Sequence, residues 1–210
     1  AFYNNGTRGC IAFDLASGSI SKLAVAASAA YVDRITDTMY VASGAAILVC
    51  NHVSFVDAAL LMAASPRPIR FIMDHRIFKI PVLGWLFRLA KAIPIAPRDQ
   101  DPAAYEAAFA AADAVLADGE LLGIFPEGGI TRDGQLQPFK GGLMKILERR
   151  PVRVVPMALT NLWGSFFSRI ERGTAMIKPF RRGLFNRVGL VVAPALTPAQ
   201  VELNALQEQV

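Results

Sequence analysis

The densest chemistry in the sequence is Asn51-His52-Val53-Ser54-Phe55-Val56-Asp57, placed where an apolar run ends. His52 is one of two histidines, and imidazole is the side chain that titrates near neutrality without help. If the chain turns into a helix between them, Asp57 folds back toward the ring despite the five-residue offset. A carboxylate on one ring nitrogen fixes the tautomer and leaves the other to take a proton from a hydroxyl, which is base catalysis without an enzyme nucleophile. The same residues also read as a histidine at a helix start beside an incidental aspartate. Ser54 as an acyl-carrying nucleophile lacks a G-x-S-x-G elbow and is the better helix cap.

Two further clusters follow apolar runs. Phe125-Pro126-Glu127-Gly128-Gly129-Ile130-Thr131-Arg132-Asp133-Gly134 sets a glutamate between a proline and paired glycines. Glycine lets a ligand approach the main chain, and a Glu fixed by the preceding Pro can accept hydrogen bonds from a polyol; a plain surface turn is the competing reading. Ile93-Pro94-Ile95-Ala96-Pro97-Arg98 sets one arginine beyond a short strand. Guanidinium matches phosphate in shape and charge. His75, in Met73-Asp74-His75-Arg76, reads as structural, and two histidines form no metal-ligand cluster, so no metal site is expected.

These clusters need a frame. From residue 45 onward, short runs rich in β-branched residues alternate with segments of helical period, as in a sheet with crossover helices. Strands are expected near 45–50, 68–73, 92–95, 121–125, 152–159 and 187–193, and sites gather where such strands end. Ser54 starts a helix running to residue 64, stopped by Pro66 and Pro68. Asp101-Pro102 starts an Ala-rich helix to residue 117, closed by Asp118-Gly119, and Thr197-Pro198 starts a terminal one. Residues 1–40 form an N-terminal segment of uncertain structure, in which 15–32 has the composition of a small-residue helix. Residues 41–210 form the main domain.

Composition narrows the partners. The 210 residues are 53% hydrophobic and 19% charged, with net charge +5, which excludes a disordered chain and points to an apolar partner. The longest uncharged stretch, between Asp37 and Asp57, is interrupted by Ser43, Gly44, Asn51, His52 and Ser54, so no transmembrane span is expected. Cys10 and Cys50 make no disulfide framework, and Cys50 has the setting of a buried reduced thiol. Lys140 to Arg187 holds 11 of the 22 Lys and Arg and only 2 of the 17 acids. Such a block suits an anionic surface, and without a nucleic-acid motif the expected surface is a membrane rather than nucleic acid. Residues 77–91 have apolar side chains at helical spacing among Lys79, Arg88 and Lys91, which suits either an interfacial helix or ordinary packing. The aromatic run 162–167 is a second such candidate.

An HxxxxD, a strand-end arginine and an F-P-E-G in this order resemble the glycerolipid acyltransferase family, over about residues 45–159 and in stretches such as ILVCNHVSFVDA, RPIRFIMDHRIFKIPVLG, AIPIAPRD and VPMALTNLWGSFFSR. The nearest likeness is to acyltransferase domains of bacterial phospholipid-recycling proteins. The resemblance implies an α/β fold, glycerol-3-phosphate acyltransferase-like, around a largely parallel or mixed sheet with flanking helices. It implies phospholipid biosynthesis: acyl transfer from coenzyme A or acyl carrier protein, as substrate rather than bound cofactor, to a lysophospholipid, lysophosphatidate or lysophosphatidylethanolamine. His52 is then the general base, Asp57 its orienting partner, Arg98 a phosphate ligand, and Glu127 with Gly128 part of the acceptor site. The family usually carries an arginine in or just after F-P-E-G, where this chain has Gly129. Arg132 or Lys140 substitutes if the loop folds back; the alternative is an acceptor held less tightly. The oxyanion is expected to meet main-chain N–H groups at the start of the Ser54 helix. The expected location is the cytoplasmic face of a membrane, held peripherally, and the alternative to an enzyme is a membrane-binding module of the same fold that has lost turnover.

Overall fold

The computed structural model describes residues 9–14, 19–21, 44–165, 168 and 187–210, with only the backbone described for 9–14, 19–21, 82–83 and 187. In chain order the strands are β1 (Gly9–Asp14), β2 (Ser19–Ser21), β3 (Ala46–Cys50), β4 (Ile69–Asp74), β5 (Ile93–Ile95), β6 (Leu121–Ile124), β7 (Arg153–Thr160) and β8 (Arg187–Val192). The α-helices are α1 (Asp57–Ala64), α2 (Pro81–Leu89), α3 (Pro102–Ala117), α4 (Gly142–Arg149) and α5 (Leu203–Gln209).

The strands form one mixed sheet in the order β2-β1-β8-β7-β3-β6-β4-β5, as an α/β chain should. Strands β7, β3, β6, β4 and β5 run parallel, and β8, β1 and β2 extend the sheet antiparallel. All five residues of β3 are buried, because a central parallel strand is covered on both faces and reads as a continuous apolar run. Alternation then divides the core in two. Ala46, Leu48 and Cys50 pack with Leu60 and Leu61 of α1 on one face. Ile47 and Val49 pack with Phe109, Ala112 and Leu116 of α3 and with α4 on the other. Pro156, inside β7, lacks a donor, and its carbonyl accepts from Ala193, beyond the end of β8, where the ladder has already broken.

Four expectations shift. Helix α1 begins at Asp57 rather than Ser54, and its cap residue Val56 makes no side-chain capping bond. The segment 77–91 is two pieces, a 3₁₀ turn His75–Lys79 and α2, divided at Ile80 with φ −77° and ψ 119°, because Pro81 bars its predecessor from the helical region. Likewise Pro198–Gln200 is a 3₁₀ turn ahead of α5. At the N-terminal end, Ser19–Ser21 is a strand where a helix over 15–32 is expected; the rest of that expectation, with Phe166, Phe167 and the basic residues Lys178, Arg181 and Arg182, lies outside the described residues. The part of the aromatic run at 162–165 is a turn.

Candidate active site

Parallel strands end at a common edge, and here that edge collects the sequence clusters: His52 follows β3, Glu127 follows β6 and Arg98 follows β5. His52 Nδ1 lies 2.8 Å from Asp57 Oδ2. The same oxygen accepts the main-chain N–H groups of Val53 at 2.7 Å and Ser54 at 2.9 Å. Asp57, fully buried, is thus a three-donor acceptor that wraps the 52–57 turn around itself, and this side chain, not a serine cap, ends the strand-to-helix junction. With Nδ1 facing the carboxylate, that nitrogen carries the proton and Nε2 is left as an acceptor. The imidazole keeps 19% of its surface exposed.

The ring is also held from behind. His52 stacks on Phe125 at 4.2 Å between centroids, and Phe125 stacks on Phe71 at 5.5 Å. Phe71 has room because its sheet neighbour is Gly123. A Cβ there would sit 2.4 Å from the Phe71 ring. Asn51, whose type had no assigned role, clasps the end of β3 to β7: its side chain donates to the Leu159 carbonyl at 3.0 Å and accepts from the Leu159 N–H at 2.7 Å. Cys50, behind it, is a free buried thiol; burial first, and then the Asp57 charge, push it well above the ordinary thiol range.

Glu127 binds main chain. Its Oε1 accepts the His52 N–H at 2.6 Å and its Oε2 the Gln137 N–H at 2.8 Å. Thr131 N–H donates in turn to the His52 carbonyl at 2.8 Å, so both main-chain groups of His52 are held by the Glu127 loop. Burial pushes the Glu127 carboxyl above its usual range, against the lowering effect of those two N–H groups. The sequence could reveal a glutamate at a strand end, but not that its partners lie at His52 and Gln137.

Through the Thr131 bond the loop folds back onto His52. It borders an open cleft of about 660 Å³ walled by residues 127–133 and 137–140, which brings Glu127, Gly128, Arg132 and Lys140 together. Gly128 has φ +70°, and a Cβ on it would meet Lys140 Nζ at 2.5 Å, so the lysine lies across the glycine. Nothing stands within 4 Å of a Cβ at Gly129. Arg98 is exposed on the same edge, but three strand positions from β3, about 14 Å across the sheet. Among the described residues, Arg98, Arg132 and Lys140 make no ion pair.

One chemical expectation changes. The N–H groups of Val53 and Ser54 are taken by Asp57, and that of Val56 by Ser54 Oγ at 3.0 Å. The start of the helix therefore offers an oxyanion its dipole rather than these donors. Ser54 is fully buried, with its hydroxyl engaged in that turn, so it is not placed as a nucleophile. His75 Nδ1 stands 3.6 Å from Asp74 Oδ1, beside the turn that Asp74 closes with Arg76.

Known proteins are similar to this chain. Residues 32–160 match the sequence model of the acyltransferase family. The chain is 35% identical over 138 residues to a 1-acyl-sn-glycerol-3-phosphate acyltransferase of Cocos nucifera, covering 64% of this chain and 44% of that protein. It is 27% identical over 124 residues to one from Borreliella burgdorferi, covering 59% and 49%. The chain thus spans less than half the length of these two relatives. In fold it is similar to the 1-acyl-sn-glycerophosphate (LPA) acyltransferase PlsC from Thermotoga maritima, with TM-score 0.58 and 22% identity over 79% of this chain and 61% of that one.

Proposed function

We propose that this chain, which belongs to the acyltransferase family, transfers a fatty acyl group from a thioester to the free hydroxyl of a lysophospholipid. The observation that carries the reading is the 2.8 Å contact between His52 Nδ1 and a buried Asp57 carboxylate, at a strand edge beside an open cleft with unpaired cations. His52 Nε2 takes the proton of the acceptor hydroxyl as its oxygen attacks the thioester carbonyl. The tetrahedral oxyanion then collapses, the C–S bond breaks, and the imidazolium returns its proton to the leaving thiolate. No acyl-enzyme forms. A positioned base supplies roughly 10²–10⁴-fold, so holding the two substrates together must supply much of the rest.

Lysophosphatidate is the first acceptor to test, since the relatives from Cocos nucifera and Borreliella burgdorferi are named for 1-acyl-sn-glycerol-3-phosphate. Lysophosphatidylethanolamine is the second. Lys140 and Arg132 receive the acceptor phosphate in place of an arginine at Gly129, Arg98 meets a phosphate farther along the edge, and Gly128 lets the acceptor approach the main chain. Glu127 takes part by fixing His52. The donor is acyl-CoA or acyl carrier protein, used as substrate with no bound cofactor. A chain acting on such acceptors would sit peripherally on an anionic membrane, at its cytoplasmic face, a location with which the buried free thiol of Cys50 agrees; no helix among the described residues is long and apolar enough to cross a bilayer.

The test is a matrix of purified chain with acyl-CoA or acyl carrier protein against lysophosphatidate and lysophosphatidylethanolamine, read by mass spectrometry. Diacyl product from at least one pair, lost in His52→Ala, is the expected result. Vesicle binding with no product and no thiol release from any pair would establish the other reading, a docking module that has lost turnover, to which the bare Gly129 gives some support.

A further inference from the structure

Helix α2 is built the wrong way round for a helix that covers a core. Its inner face rests on the preceding turn: a Cβ on Gly84 would lie 2.3 Å from the Phe78 carbonyl oxygen, and Phe87 is buried with its ring 6.4 Å from that of Phe78. At 100° per residue, Trp85, Leu86 and Leu89 centre about 180° from that face. They are 64%, 41% and 67% exposed, and Ile80 at the entry to the helix is 47% exposed. Among the described residues only Phe55 joins these four as an exposed large hydrophobic side chain. A concentrated apolar stripe turned away from its own protein marks a contact with another apolar phase.

Charge selects that phase. Between Asp74 and Asp99 the chain holds Arg76, Lys79, Arg88, Lys91 and Arg98 and no acid. Lys79, Arg88 and Lys91 are exposed around the stripe, and Arg88 is braced by a 2.9 Å bond to the Phe78 carbonyl. Apolar side chains bordered by cations, with an exposed tryptophan among them, suit a layer that is hydrocarbon below and anionic above. A second copy of the chain would bring the same cations against these. Beyond α2 the chain enters β5 and ends it beside Arg98, on the edge that holds His52.

We infer that α2 is the surface by which this chain docks on an anionic lipid bilayer, with Ile80, Trp85, Leu86 and Leu89 among the acyl chains and Lys79, Arg88 and Lys91 at the phosphates. The assignment deepens the lipid-acceptor reading and rests on it for its purpose: docking through α2 sets the cationic edge of the site at the level where acceptor phosphates lie.

Trp85 is its own reporter. The chain has two tryptophans, so Trp163→Phe leaves Trp85 alone. In this background, vesicles of equal phosphatidylcholine and phosphatidylglycerol with brominated acyl chains should shift Trp85 emission to the blue and quench it, and added salt should weaken the effect. Leu86→Glu with Leu89→Glu should lower vesicle affinity by about tenfold or more, while leaving turnover of a monomeric short-chain donor and acceptor unchanged. The inference fails if the chain sediments with vesicles while Trp85 stays unquenched. It also fails if Trp85 emission is already blue without lipid and stays unquenched when lipid is added, for then another part of the chain covers the stripe. Absence of product from monomeric substrates would instead overturn the enzymatic reading and leave the quenching result standing.

Discussion

Two glutamates bracket β6, and the structure treats them in opposite ways. Glu120, at the start of the strand, meets Arg70 at 2.5 Å, and that hydrogen bond first, then the Arg70 charge, hold its carboxyl below the usual range. Glu127, just past the end, is buried with only main-chain N–H partners, and burial pushes its carboxyl up. Each stands for its edge of the sheet. At the Glu120 edge Arg67 bonds the carbonyls of Gly44 and Gly119, and Arg150 pairs with Asp113 on the adjoining helices. At the other edge Arg98, Arg132 and Lys140 pair with no carboxylate among the described residues, and the pair Asp74 with Arg76 serves a local turn. At the Glu120 edge Arg70 and Arg150 each reach a carboxylate; at the edge proposed to do chemistry the three cations of the site reach none among the described residues.

The sharpest way to break this comparison is at His52. His52→Ala should lower turnover by roughly 10²–10⁴-fold with the fold intact, read as thiol release alongside circular dichroism; near-normal turnover would remove the chemical edge altogether. Glu127→Ala comes next. It leaves two buried N–H groups without acceptors and should cost about 1–3 kcal/mol in denaturant melts. Turnover should fall further than that loss explains, since His52 loses its main-chain anchor. Lys140→Ala and Arg132→Ala should each raise KM for a phosphate-bearing acceptor by several-fold up to about tenfold, with kcat steady, in steady-state kinetics; unchanged KM in both would mean that the unpaired cations serve something else.

The smallest effect belongs to Glu120. Its partly exposed pair is worth only about 0.2–1 kcal/mol, so Glu120→Gln should lower the denaturant midpoint slightly at pH 7. A depressed carboxyl stabilises above its unfolded value, near about 4.3, and that gain vanishes as pH falls through the lower folded value. The gap between wild type and Glu120→Gln should therefore close in acid. Glu127 titrates in the opposite sense: a raised carboxyl favours the folded state at low pH, and this contribution is lost as pH rises through its folded value. Midpoints of wild type and each single variant, measured from about pH 4 to 7, should give slopes of opposite sign for the two glutamates. Like signs would dissolve the contrast.

What was legible in the sequence follows from how local each signal is. His52 and Asp57 lie on one turn, so their meeting could be anticipated, and the uninterrupted run at Ala46–Cys50 announced a strand covered on both faces. Helix α1 starts three residues after Ser54 because Asp57 turns its carboxylate back onto the N–H groups of Val53 and Ser54, a bond pattern that the helix signals do not encode. Asn51 and Leu159 are 108 positions apart, and Glu127 and His52 are 75 apart, so nothing near either residue announces its partner. The division at Pro81 was readable from proline chemistry alone. Which side of α2 faces outward was not, because helical spacing gives a stripe without saying where Phe78 will sit. Gly9–Asp14 and Ser19–Ser21 are brief and poor in aliphatic residues, and their pairing with β8 and with each other depends on sheet geometry set up elsewhere.

The ring stack behind His52 has a consequence for inheritance. Position 123 has no side chain so that Phe71 can lie flat, and Phe71 supports Phe125 and through it the imidazole. A lineage could enlarge one partner only by shrinking the other in the same step or close to it. Gly123→Ala and Phe71→Leu made singly should each be harmful, while the double substitution should recover part of the loss, so that two positions remote from any substrate would be found drifting in tandem.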